Sequence, residues 1–121
     1  MSRTFTNVGS QATITTLADG ANHITAAYDV SGVDHGMATI DVACSSASGS
    51  GNVSVSVIKS RDGINFESES NALPIMSFND PDGKRDVESV DIFGVKAIKV
   101  IVYNNSGDTF SGTVDVTLVS V

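Results

Sequence analysis

Few residues in this chain can do chemistry, and their spacing limits what each can do. Three acids and a glycine crowd the segment Asn79-Asp80-Pro81-Asp82-Gly83-Lys84-Arg85-Asp86. An EF-hand calcium loop needs oxygen ligands at its positions 1, 3 and 5, glycine at 6 and glutamate at 12. With Gly83 at position 6, positions 1 and 12 fall on Phe78 and Ser89, and neither is a carboxylate. Asp80, Asp82 and Asp86 therefore read as a solvated charged turn in preference to a looser calcium site, and no metal is expected. Glu67 and Glu69 would lie on one strand face, roughly 7 Å apart for two strand residues. That spacing could suggest a glycosidase pair, but a solvated strand face accounts for it better.

Nucleophilic catalysis needs a base beside a serine or cysteine. The two histidines are His23, which opens a strand, and His35, in a loop just before Gly36. There is no Gly-x-Ser-x-Gly elbow and no His-x-x-x-His or Cys-x-x-Cys spacing. Cys44 stands alone, so no intrachain disulfide can form, and its place in an alternating run marks it as a small buried apolar residue. A sugar platform would need exposed aromatics. There is no Trp, and Tyr28 and Tyr103 both sit in apolar strands. Asn52-Val53-Ser54 and Asn104-Asn105-Ser106 fit the N-glycosylation pattern, which is read as chance. These residues lead to the expectation of a non-enzyme without cofactors.

The elements that would position these residues are strands. Val53, Val55 and Val57 alternate with Ser54 and Ser56, the period of a half-buried strand. The run breaks at Ser60-Arg61-Asp62-Gly63, whose Asp-Gly pair suits a tight hairpin, and Ile64 and Phe66 resume the alternation on the way back. Met37 to Cys44 alternates as well, with Ala38, Ile40, Val42 and Cys44 assigned to the core. Ser45 to Asn52 reads as a mobile loop between paired strands. Pro74 places Ala72 to Phe78 at a sheet edge or in an extended loop. In Val95 to Tyr103, Ile98, Val100 and Val102 face one way, and Ile101 predicts burial on the second side. Asn104 to Asp108 reads as a second hairpin turn, and Val114, Val116 and Leu118 alternate through the closing strand. No helical pattern competes. The expectation is an all-β chain: one antiparallel β-sandwich, jelly-roll or Ig-like, of about 7–8 strands. It would form a single domain over residues 1–121, with 1–8 as an N-terminal arm that orders on contact.

Composition excludes several partners. Fourteen acids against seven bases give a net charge of −7, which opposes phosphate-backbone binding and adsorption to anionic lipid. MSRTFTNVGS has no basic stretch followed by an apolar one, so no signal peptide is expected.

The segment Ser60-Arg61-Asp62-Gly63-Ile64-Asn65-Phe66 after an alternating strand resembles a hairpin of small sandwich proteins in tailed-bacteriophage virions. Val95 to Asn105, followed by a Gly-containing turn and a terminal strand, resembles the end of the same architecture. The resemblance spans about residues 37–121 and implies a capsid decoration, head or tail accessory subunit. On that basis the expected function is a capsid decoration subunit located in the virion. Its partner would be the major capsid protein or another virion protein, with self-association besides, and with neither nucleic acid nor membrane. The rival expectation is a carbohydrate-binding or adhesin module. Docking would use exposed strand edges and apolar patches, with Arg3, Phe5, Leu73, Ile75, Met76 and Phe78 as interface candidates.

Overall fold

The computed structural model describes residues 4–31 and 36–120. Alternation of apolar and small polar residues produces ten strands. They are β1 (Thr4–Asn7), β2 (Ala12–Leu17), β3 (Asn22–Ile24), β4 (Tyr28–Asp29), β5 (Gly36–Ser46), β6 (Asn52–Ser60), β7 (Leu73–Asn79), β8 (Arg85–Asp91), β9 (Ala97–Asn105) and β10 (Phe110–Ser120). A single 3-10 turn at Glu69–Asn71 precedes β7. All pairings are antiparallel, and the strands form two five-stranded sheets. The first runs β1-β10-β5-β8, with β2 also on β10; the second runs β3-β9-β6-β7, with β4 also on β9.

The core lies between the sheets. Ile40, Val42, Val53, Val55, Val57, Val100, Val102 and Val114 are fully buried there, each on the inward phase of its strand. Ala38, Ile40, Val42 and Cys44 face this core as their alternation predicts, and Pro74 lies on β7, the edge of the second sheet.

The strand count exceeds the expected 7–8 partly because the segment around His23 to Val30 divides. Thr25 donates its backbone N–H to the Val100 carbonyl, while its hydroxyl, in place of a carbonyl, accepts the Val100 N–H. That substitution interrupts the ladder between β3 and β4. Residues 4–7 of the expected arm are laid along β10 as β1, with Phe5 opposite Val119.

Two expected hairpins are replaced by other connections. After β6 the chain does not turn back at Asp62-Gly63; residues 61–72 form a long connection that leads to β7, the antiparallel neighbour of β6 on one side, with β9 on the other. Ile64 and Phe66 lie outside any strand. The connection lies over the outer side of the second sheet. Its Phe66 ring sits under the Lys99 ammonium, 4.5 Å from nitrogen to centroid, and its Glu69 charge acts on Tyr103. Ile101, between those two positions, is thereby buried on the face away from the core. Asn104 to Asp108 is likewise no hairpin, because β9 and β10 belong to different sheets.

The Ser45–Asn52 segment also crosses between sheets, and it is held in place instead of lying slack. Ala47 is fully buried and donates its N–H to Asp82, Ser48 hydrogen-bonds Asp108, and Gly51 donates to the Ser106 carbonyl. A Cβ at Gly49 or Gly51 would run into the backbone around Asn105 and Ser106, so glycine permits this close approach.

Candidate interaction surface

Several side chains suited to chemistry hold turns and strands. Asp62 Oδ1 accepts the N–H groups of Ile64 and Asn65, each at 2.8 Å, and the Ser60 hydroxyl at 3.0 Å. Its Oδ2 accepts the Asn65 side-chain amide at 2.8 Å. These bonds hold the Asp62 carboxyl far below the usual carboxylate range. Gly63 supplies the positive φ of 81° that the turn requires.

The acidic turn after β7 divides its carboxylates in the same way. Asp82 takes the Ala47 N–H, and Asp86 takes the N–H of Val87. Among the described residues, no three His, Cys, Asp or Glu side chains gather closely enough to hold a metal ion. Glu67 and Glu69 do not share a strand face. Glu67 lies in the connection, where its carboxylate and backbone N–H both bond to Lys59, and Glu69 opens the 3-10 turn.

Cys44 is buried in the core, and burial pushes its thiol pKa up, away from thiolate reactivity. His23 is half-buried on β3 opposite Val102. His35 lies outside the described residues. Tyr28 is 5% exposed and packs in the core, whereas Tyr103 is half-exposed on the outer side of the second sheet.

The interface candidates separate into three groups. Arg3 lies outside the described residues. Met76 and Phe78 are buried in the core, where neither can form part of a contact surface, because their alternation on β7 turns them inward towards Val55 and Val53. Leu73 is exposed and Ile75 half-buried on the same edge strand. Phe5 is in the other sheet and does not join them.

Phe5 has different neighbours. Register places Phe5 opposite Val119 and Val119 opposite Met37, so three apolar side chains on β1, β10 and β5 form one row. Phe5 is 66% exposed, Met37 38% exposed and Val119 half-buried, on the face away from the core. Asp91 closes the row on β8. The next row holds Asn7, Thr117, Thr39 and Ser89, linked in part by hydrogen bonds from Thr117 to Asn7 and between Thr39 and Ser89, each at 3.2 Å. Further along, Asp41 and Arg85 form a bidentate pair, and Gln11 donates to Asp115 at 2.7 Å. This face is mainly polar, with the apolar row at one end and Val87, 48% exposed, opposite Asp41. Met37 and Val119 were legible only as members of alternating runs, since their row exists only once three strands are in register.

No protein-family description matches this chain, and no curated protein matches it. Among solved structures, the crystal structure of FLHE is similar, with a TM-score of 0.52 and 10% sequence identity. The alignment covers 98% of this chain and 97% of that one. At that identity the likeness concerns the fold alone.

Proposed function

We propose that this chain is a non-enzymatic docking subunit of a larger protein assembly, and specifically a decoration subunit on the outer capsid of a tailed-phage virion. The docking part rests on one observation: Phe5, Val119 and Met37 form a contiguous solvent-facing apolar row across three strands. Such a row is stabilised when a partner surface covers it. The polar and ionic groups around it are already bonded to each other, so covering them leaves few unpaired groups.

The virion setting is supported by the resemblance of about residues 37–121 to small sandwich proteins of tailed phages. Its later motif corresponds to β9 and β10, while its Ser60–Phe66 motif folds here as the start of a loop. Burial of Tyr28 removes one of the two tyrosines on which a glycan-stacking platform would draw.

Electron microscopy and mass spectrometry of the purified parent particle test this reading. Density for the sandwich on the outer shell, with the Phe5 row against it, is expected. Absence of the chain from purified virions, or selective capture of one glycan class on an array, would overturn it.

A further inference from the structure

A sheet margin presents unpaired N–H and C=O groups and can accept another strand unless it is blunted. Three of the four margins here are short or blunted. β7 carries Pro74 and a register irregularity opposite Val55 and Ser56, and the Lys84 ammonium closes on the Asn79 carbonyl at its end. β8 is lined by Arg85, Asp86, Glu88 and Asp91, and Asp86 takes the Val87 N–H for itself. β3 and β4 are three and two residues long.

The fourth margin carries neither proline nor charge, and its register shift, between Phe110 and Gly112, falls on the β2 half and leaves the four-residue β1 regular. β1 and β2 lie end to end along one side of β10, and from Thr4 to Ala18 the chain has no charged residue and no proline. Val8 donates its N–H to the Val116 carbonyl at 3.0 Å, which fixes the phase of the ladder. By alternation Thr4 and Thr6 also turn their main chain to β10, so the N–H and C=O groups of Phe5 and Asn7 point outwards. A groove of about 310 Å³ runs beside this strand, between β1 and β4, lined by residues 6–9 with Asp29, Ser31 and Leu118. Asp29, which lines this groove, accepts the Ser31 N–H at 2.9 Å and its hydroxyl at 2.5 Å, both on Oδ1. The same bonds, helped by the nearby Lys96, keep the carboxylate charged.

We propose that the outward edge of β1 accepts an extended strand from a partner protein, and that one inward side chain of this strand is a cation that meets Asp29 in the groove. A strand added roughly 4.8 Å from β1 would send alternate side chains into the groove and onto the outer face beside Phe5. The occupant is a partner and not a second copy, because each copy carries −7 and like-charged chains repel. This inference rests on the docking reading above and adds the margin used and the chemistry of the strand it takes.

The test uses the whole chain and the peptide acetyl-Val-Thr-Val-Lys-Val-Thr-Val-amide, followed by amide exchange and NMR. Protection of the Phe5 and Asn7 amides is expected. Asn7→Pro removes an outward N–H and should weaken binding about tenfold. Asp29→Asn should weaken the lysine peptide about threefold and leave its norleucine counterpart unchanged. A peptide N-methylated on alternate amides should not bind, a control that leaves the protein unaltered. Unprotected Phe5 and Asn7 amides, equal binding of the methylated peptide, or a concentration-dependent dimer abolished by Asn7→Pro would each overturn the proposal, the last in favour of a second copy. If Asn7→Pro still docks on the particle while Met37→Ser does not, the edge proposal falls and the docking reading stands.

Discussion

The side-chain amide of Asn104 donates to the carbonyl of Leu17 at 2.8 Å, across 87 positions of sequence. The same nitrogen donates to the Asp108 carbonyl at 2.7 Å, and Oδ1 accepts the Ser106 N–H and hydroxyl. Every donor and acceptor of this amide is thereby used in a fully buried site. The residue joins the end of β2 to the turn that carries the chain from one sheet to the other. Asn104→Leu leaves the Leu17 and Asp108 carbonyls and the Ser106 groups short of partners. A loss of about 3 kcal/mol in urea unfolding is expected. A loss below about 1 kcal/mol would mean that the network is replaceable.

The two ends of β7 should respond very differently to truncation. Phe78 is 4% exposed and sits in the core, so Phe78→Ala should cost about 3–5 kcal/mol. Leu73 is exposed on the same strand, and Leu73→Ala should cost less than about 1 kcal/mol. Chemical denaturation of both variants checks the contrast, and equal losses would place Leu73 in the core.

Gly51 tests the close approach of the β5–β6 crossing to the β9–β10 turn. Gly51→Ala should destabilise by about 1–3 kcal/mol, because the new methyl meets the Asn105 carbonyl and Ser106 backbone. The neighbouring exposed Ser50 provides the control, with Ser50→Ala expected within roughly 0.5 kcal/mol of the parent. Thermal melts of the pair are sufficient.

The Asp62 turn should resist acid. A carboxyl whose folded pKa is depressed contributes to stability above its unfolded pKa, and that contribution is lost only as pH falls through the folded value. Asp62 is depressed by the backbone N–H groups of Asn65 and Ile64 first, then by the Asn65 and Ser60 side chains. It should remain ionised at about pH 3, below the ordinary aspartate pKa of roughly 3.9. Carboxyl carbon shifts followed by NMR would show this, and a midpoint in the ordinary range would contradict the turn geometry.

The apolar row makes a functional prediction separate from the edge. Phe5→Ser combined with Met37→Ser removes surface side chains and should change stability by less than about 1 kcal/mol. Retention on the particle should fall at least about tenfold, equivalent to roughly 1.4 kcal/mol. Co-sedimentation measures it, and undiminished retention would remove this face from the contact.

The sequence alone determined the strand character of the chain and the faces of its best-patterned strands. Valine and isoleucine at every second position have one inward phase, so Ala38 to Cys44, Val53 to Val57 and Ile98 to Val102 could be assigned without a structure. Turn residues were legible too, since Asp62 and Gly63 do bend the chain, though not into the expected hairpin. What a turn cannot specify is which sheet the next strand joins, because the same Asp-Gly or Asn-Ser-Gly residues serve a hairpin and a crossing. From β4 onwards every connection except β6–β7 crosses between the sheets, and long-range contacts such as Asn104 with Leu17 select that path. Tertiary structure also decided exposure. Leu73, Met76 and Phe78 look equivalent as a string, yet the phase of β7 buries two of them and leaves Leu73 out. Phe5, Val119 and Met37 are remote in sequence, and only the register of three strands makes them a surface.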